Sequence, residues 1–181
     1  MKKTVPFFTR GIICFLVIFA YASGIHAANP ATINVTVTIQ NLSVSATGPI
    51  AFGVVTATSV TVSGDSSQVV NDGNVTETYS LNLTDPGGGW TAVQAAPGDE
   101  EYCLSVQFNS DEPASGDFNY TDHALSTTST ACSASKFAGD QTGVSVGTTG
   151  ERYLWFKFEA PNSTTVTTEQ TIVVTVTAAA G

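Results

Sequence analysis

The sequence predicts an all-β protein, an antiparallel two-sheet sandwich of about nine to eleven strands. Two observations favour this class. Runs of Val, Ile, Thr and aromatic residues alternate with polar residues at a period of two, and clusters of Gly, Pro, Asn and Asp separate the runs. A third observation is negative: no window combines apolar residues three to four apart with helix caps, so we expect very little helix.

The N-terminus is predicted to be a cleaved secretory signal peptide, residues 1–27. Lys2, Lys3 and Arg10 give it a positive start, and the apolar run 11–22 follows. A membrane span needs roughly 20 residues, so this shorter run favours a signal over the alternative, a retained anchor. We therefore expect a secreted or cell-surface protein that has no membrane attachment after cleavage.

The remaining chain, residues 28–181, is strongly acidic. It carries Lys136, Arg152 and Lys157 against all 15 acidic residues, a formal net charge of −12. Nucleic acid is therefore not an expected partner, because its affinity for proteins comes largely from basic side chains. We attribute the acidity to solubility outside the cell, with the binding of cations, calcium above all, as the alternative.

The alternating runs define the predicted strands. In chain order they are 31–40, 41–46, 50–56, 59–64, 67–74, 79–84, 90–95, 102–108, 143–146, 152–160 and 170–178. Turn residues such as NDGN at 71–74 and PGGG at 86–89 end them, since Gly permits positive φ and Asn bonds its own backbone. No stretch is rich enough in linker residues to divide residues 28–181, which predicts a single domain.

The first and the last of these runs are long and free of charge. They are TINVTVTIQ at 32–40 and TIVVTVTA at 171–178. Uncharged strand edges can pair with another chain, and strand addition between subunits is a known mode of recognition. We expect both runs to pair within the sandwich itself, with pairing to another copy as the alternative.

Two cysteines remain after the signal, Cys103 and Cys132. An even pair in an exported chain predicts a disulfide, which would stabilise the fold by about 3.5 kcal/mol for a loop of about 30 residues. The alternatives are two buried free thiols or a pair of zinc ligands. Zinc is disfavoured because His123 is the single histidine left to complete a site.

An acidic loop at 109–122 is the candidate metal site. Calcium prefers several oxygen ligands on flexible loops, and this loop offers Asn109, Asp111, Asp117, Asn119 and Asp122. The alternative is that these side chains are simply solvated. No other cofactor is expected.

No catalytic site is predicted. His123 is the only histidine of residues 28–181, no G-x-S-x-G elbow occurs, and the paired carboxylates lie in loops that would not hold a fixed separation. We therefore expect a protein that is not an enzyme.

Four aromatic residues are candidates for stacking on a sugar ring: Trp90, Trp155, Tyr102 and Tyr120. Lys157 shares a strand face with Trp155, which suggests that Trp155 is partly exposed. We favour packing of these rings within or beside the core, as large aromatic side chains commonly do, with the sugar platform as the alternative.

Several short elements give a resemblance to a known group of domains. They are Phe52–Val54, the corner at 71–74, the Pro86, Gly89 and Trp90 element, and the last strands at 152–178 with a turn at Pro161. The chain thus resembles immunoglobulin-like sandwich domains of bacterial exported proteins, the group that includes CARDB, NEW3 and ASH-type domains. The resemblance implies an immunoglobulin-like fold and a structural or adhesive role at the cell surface. Residues 97–142 depart from it as an acidic insertion that holds both cysteines.

These observations together predict a non-enzymatic, exported structural or interaction module of the cell envelope, a role that includes that of a subunit of a surface assembly. Its expected partners are other envelope or surface proteins, or further copies of itself through strand edges. The alternative is a carbohydrate-binding module that uses an exposed Trp155 or Trp90 to bind a glycan.

Overall fold

The structure is a computed structural model that describes residues 32–181. The predicted signal peptide, residues 1–27, lies outside the described residues. The chain divides into two units, the second of which is Ile39–Gly181. The described part of the first unit, residues 32–38, contains no helix and no strand.

Residues 39–181 are nearly all β, as predicted. The strands are β1 (Val44–Ala46), β2 (Val60–Val62), β3 (Ser67–Asn71), β4 (Glu77–Thr84), β5 (Thr91–Ala92), β6 (Glu101–Phe108), β7 (Thr130–Ala131), β8 (Glu151–Glu159) and β9 (Val173–Ala180). A 3-10 turn at Ser115–Asp117 and one α-helix, α1 (Tyr120–His123), are the helical elements of the described residues.

The strands form two sheets. The larger sheet has the order β1-β3-β8-β6-β5, with β2 also paired to β8, and it curls into a half-barrel. The smaller sheet has the order β7-β4-β9. Every pair is antiparallel except β5 and β6, which are parallel. The expectation of a purely antiparallel fold is wrong at this pair. Residues 93–100 return along β5 to its beginning, so β6 starts beside Thr91 and runs in the same direction.

The apolar residues of the alternating runs form the core between the two sheets. On β4 the residues Tyr79, Leu81 and Leu83 are at most 1 % exposed, while the polar residues between them are half-buried. The larger sheet contributes Leu104, Val106 and Phe108 from β6 and Leu154, Phe156 and Phe158 from β8 to the same cluster. Alternating side chains thus place one apolar face of each sheet against the other.

The opposite face of the larger sheet is also covered, which period-two alternation did not predict. Residues 109–123 lie over it, and β6 is therefore buried on both faces. Trp155 donates its indole N–H to the carbonyl of Asn109 at 3.0 Å, and the Tyr120 hydroxyl donates to Glu159 at 2.8 Å. The predicted insertion, 97–142, thus contains the segment that covers this face.

Three predicted strands are absent. The run 32–40 forms no strand, so the expectation that it pairs within the sandwich is wrong. In the run 50–56, Gly53 has a φ of +66°, and this left-handed conformation interrupts an extended chain. In the run 143–146, Ser145 has a φ of +50°, and the segment meets β4 only at an isolated bridge.

Candidate functional site

The outer edge of β9 is an unpaired strand edge. β9 pairs with β4 along its whole length, from Val173 to Ala180. Gly181, next in the chain, donates its N–H to Thr76. Because hydrogen-bonded pairs alternate along an antiparallel ladder, the backbone groups of Val174, Val176, Ala178 and Ala180 point away from β4. None of these groups has a hydrogen-bond partner among residues 32–181.

The side chains at this edge are also incompletely covered. Val174, Val176 and Ala178 point toward the core and pack against it, yet each is only half-buried. Strand β1 lies beside β9 at the same side of the sandwich, and its Val44 is half-buried as well. We call these four residues and the free backbone groups of β9 the open edge.

A hydrogen-bonded corner holds the chain near the end of β9. Asn74 donates from its side chain to the carbonyl of Ile39 and accepts from the N–H of Asn41, at 2.8 and 2.7 Å. The buried carboxylate of Glu77 accepts from the N–H of Ser43 at 2.8 Å. These bonds fix residues 39–43 at the corner that the sequence predicted as a turn.

Gly73 is required in this corner for a steric reason. A Cβ atom on Gly73 would lie 2.5 Å from the carbonyl oxygen of Asn41 and 2.5 Å from a carboxylate oxygen of Glu77. No real Cβ approaches a backbone oxygen so closely, so the corner can close only around a glycine.

The run that precedes this corner is exposed. Ile33, Val35, Val37 and Ile39 are 85, 81, 80 and 78 % exposed. They are four of the largest exposed apolar side chains of the described residues, and they alternate with Asn and Thr. Isolated exposed apolar residues are normal on protein surfaces, but a row of four at alternate positions is not an isolated residue.

The predicted disulfide does not form. Cys103 and Cys132 are both free thiols and both buried. Cys132 belongs to the core, whereas Cys103 precedes the core residue Leu104 on β6 and so faces the opposite side of the sheet. The sheet therefore separates the two sulfur atoms. Burial raises the pKa of the Cys132 thiol to about 12 and also raises the pKa of Cys103.

The acidic candidate calcium ligands, Asp111, Asp117 and Asp122, do not form a group that could hold a metal ion. The side chains of Asn109, Asp117 and Asn119 instead accept hydrogen bonds from nearby backbone N–H groups, and Asp111 is exposed. Asn119 caps the first turn of α1 by accepting from the N–H of Asp122 at 2.7 Å. Residues 32–181 contain no group of three or more His, Cys, Asp or Glu side chains that could hold a metal ion.

The candidate sugar-binding aromatics are largely covered. Tyr102 is fully buried, with its hydroxyl donating to Asp85, and Trp155 is 9 % exposed. The suggested partial exposure of Trp155 is wrong, because residues 109–123 cover it. Tyr102 faces the core. Trp90 is half-buried against Phe158 at 6.0 Å between ring centroids. Tyr120 is also half-buried.

Sequence reasoning missed a buried charged cluster under the covering segment. Lys157 and Glu159 form an ion pair at 2.8 Å and are almost completely buried. The Lys157 ammonium lies 5.6 Å from the ring centroids of both Phe118 and Tyr120. The hydrogen bond to Glu159 is the main reason that the pKa of Tyr120 rises to about 12. The lysine at 157, on a strand of otherwise large apolar residues, was the only signal of this cluster in the sequence.

His123 has a structural place in the same covering segment. Its Nδ1 accepts from the backbone N–H of Asn119 at 3.0 Å, and its Nε2 lies 3.1 Å from the carbonyl of Ala138. The ring is therefore the neutral tautomer that is protonated on Nε2. Burial lowers the pKa of His123 below its usual value.

Comparison with known proteins identifies no relative: no protein-family model, no curated protein and no solved structure matches the chain. Within residues 32–181, no helix has the length and apolar character that a membrane crossing requires. The geometry of the open edge is therefore the basis for assigning it a function.

Proposed function

We propose that this chain is an exported, non-enzymatic structural subunit of the cell envelope that assembles through an unpaired strand edge. Its fold would be an immunoglobulin-like sandwich, as the resemblance in the sequence implies. Copies of the chain are the partners that the proposal favours, with other envelope proteins as the wider class.

The single observation that carries this proposal is the open edge. Soluble proteins normally protect the last strand of a sheet with charged residues, prolines or bulges. β9 reads VVTVTAAA and has none of these, and it is eight residues long. An edge of this kind is a template for another strand.

The exposed apolar run supports the same conclusion. Full burial of one Val or Ile side chain contributes about 1.5–3 kcal/mol. The side chains of Ile33, Val35 and Val37 are at least 80 % exposed, so an assembly that covers them would gain several such contributions. A row of exposed apolar side chains such as this one is unusual on a protein that stays monomeric.

The charge distribution is compatible with specific assembly. Residues 28–181 carry a net charge of −12, which keeps separate copies apart through repulsion. Neither β9 nor the run 32–40 contains a charged residue. Contacts between copies are therefore least opposed by repulsion at these uncharged strands.

The size distribution of residues 28–181 tests the proposal. Light scattering, sedimentation and electron microscopy over a range of protein concentrations, with and without calcium, should show ordered oligomers or fibres. A chain that stays strictly monomeric in all of these conditions would exclude assembly through its own strand edges.

The second candidate function, carbohydrate binding, now depends on Trp90. This ring is half-buried, and its N–H donates to Thr164, whose hydroxyl in turn donates to Glu100. Saturable binding to a glycan array that is lost in Trp90→Ala but retained in Trp155→Ala would support this function over assembly.

A further inference from the structure

We infer that residues 32–38 of one copy add as an extra strand to the open edge of β9 in a second copy. The inference rests on the proposed assembly function and identifies the two surfaces that meet. We call residues 32–38 the donor segment and β9 the acceptor strand.

The backbone of the acceptor strand is ready for this addition. Val174, Val176 and Ala178 direct both their N–H and C=O groups outward, and none of these groups has a partner among the described residues. The donor segment forms no ladder with any strand of residues 32–181. Its own N–H and C=O groups are therefore free to complete the ladder.

The side-chain patterns of the two strands match. On β9, half-buried Val and Ala residues alternate with exposed Thr. In the donor segment Ile33, Val35 and Val37 alternate with Asn34, Thr36 and Thr38. Because side chains alternate in register across a sheet, the donor's apolar residues would extend the inner face of β9. They would then cover the apolar side chains that the open edge leaves half-exposed.

The dimensions of the sheets point to the same position. The smaller sheet has three strands and faces a larger sheet of six. A further strand beside β9 would lie at the side where β1 ends the larger sheet, next to the half-buried Val44. The donor segment is seven residues long, about 23 Å when extended, and β9 has eight residues.

The contact is heterologous, because the donor segment and the acceptor strand are different surfaces of the same chain. Each copy that accepts a strand still has its own donor segment to offer. Such head-to-tail contacts extend from copy to copy, and they give a filament unless the ring closes.

Amide hydrogen exchange tests the pairing directly. Residues 28–181 are studied by NMR below and above the concentration at which sedimentation detects oligomers. We expect exchange at Val174, Val176 and Ala178 to slow by at least about tenfold on assembly. Thr175 and Thr177, whose N–H groups already bond to β4, should change little.

Two matched substitutions separate the faces of the donor segment. Val37→Asp places a charge on the apolar face and should abolish both the oligomers and the added protection. Thr36→Asp adds the same charge on the opposite face, one residue away, and should leave assembly largely intact. Both positions lie outside the folded core, so the unfolding midpoint of the monomer should be unchanged in each variant.

The possible results distinguish this inference from the function on which it rests. Oligomers that form without protection of β9, or that survive Val37→Asp, would overturn the donor–acceptor pairing and leave assembly in place. Protection that is independent of concentration would mean that each chain pairs with its own donor segment, which also overturns the inference. A monomer without protection at any concentration would overturn both.

Discussion

The two sides of the sandwich are closed in different ways. On one side, residues 124–146 connect the larger sheet to the smaller one: Leu125 donates to Leu104 of β6, and Leu83 of β4 donates to Ser126. On the other side, β1 and β9 lie next to each other without a backbone hydrogen bond between them. We call these the closed side and the open side.

The difference shows that irregular backbone can close a sheet edge as completely as a strand. Along the closed side, β4 receives or gives backbone hydrogen bonds at Ser126, Cys132, Gly143 and Val146, of which only Cys132 lies beside a strand, β7. The apolar residues Leu125 and Val146 are fully buried there. Among residues 32–181 no such segment covers the open side, and its apolar side chains are only half-buried.

The largest expected effect is the loss of a side chain on the closed side. Leu125→Ala should lower the free energy of unfolding by about 2–5 kcal/mol, because it leaves a cavity in a packed core. Val174→Ala on the open side should cost no more than about 1 kcal/mol, since that side chain is already half-exposed. Urea denaturation of the monomer measures both. Equal losses would show that the two sides are equally well packed.

A substitution in the corner around Gly73, beside the open edge, should destabilise the fold nearly as much. Gly73→Ala forces a Cβ atom against the Asn41 carbonyl oxygen, and we expect a cost of about 1–3 kcal/mol. Gly116→Ala is the control, because no atom lies within 4 Å of the added Cβ at that position. Thermal unfolding compares the two variants, and similar midpoints would contradict the steric role of Gly73.

Acid should weaken the segment that covers the outer face of the larger sheet. The folded-state pKa of His123 is lowered by burial, so its contribution to stability is present above the unfolded pKa of about 6.5 and is lost as pH falls below it. Protonation would also place a hydrogen on Nδ1 opposite the N–H of Asn119. Asp122 raises this pKa, while Lys136 and Lys157 lower it.

Urea denaturation of the monomer between pH 7.5 and 5.5 measures this effect. The free energy of unfolding of the wild-type chain should decrease as the pH falls over this interval. His123→Gln should have a lower free energy of unfolding at pH 7.5, and this free energy should depend less on pH. An unchanged slope in the variant would mean that other groups titrate on folding.

Salt should have a smaller effect, and only on the open side. Screening reduces the repulsion between acidic copies, with a Debye length that falls from about 8 Å at 0.15 M to about 3 Å at 1 M ionic strength. The association constant between copies, measured by sedimentation, should therefore increase several-fold at high salt. The two uncharged strands contain no ion pair that salt could weaken. Weaker association at high salt would show that charged contacts hold the copies together.

The smallest expected effect concerns the thiols. Cys103 and Cys132 are free, so a reducing agent should not change the unfolding midpoint. Both thiols should resist alkylation in the native protein, since burial raises the pKa of each, and both should react after unfolding. A midpoint that falls on reduction would show that the chain can form the disulfide that its sequence suggested.

The sequence predicted the positions of the long strands better than it predicted the structure of the segments between them. Alternation identified β3, β4, β6, β8 and β9, because side chains of an extended chain point alternately to opposite faces. It failed for the runs 50–56 and 143–146, where one residue with positive φ interrupts the pattern.

The candidate site residues were harder to predict. Partial exposure of Trp155 was suggested by the lysine on the same face of β8, but residues 109–123 cover that face and bury both side chains. The pairing of Cys103 with Cys132 was predicted from their number, and number carries no information about which face of a sheet each one occupies. Both errors concern contacts between residues that are distant in the chain.

The sequence by itself determined that this chain is a β protein with an acidic surface and two long, uncharged runs near its ends. These are local properties, since period-two alternation and charge are read from neighbouring residues. Only the tertiary structure decided that, within residues 32–181, one run pairs along one edge only and the other pairs with no strand. Which strands become neighbours depends on the whole chain's packing, because a strand's own pattern prescribes its faces but not what lies beside its edges.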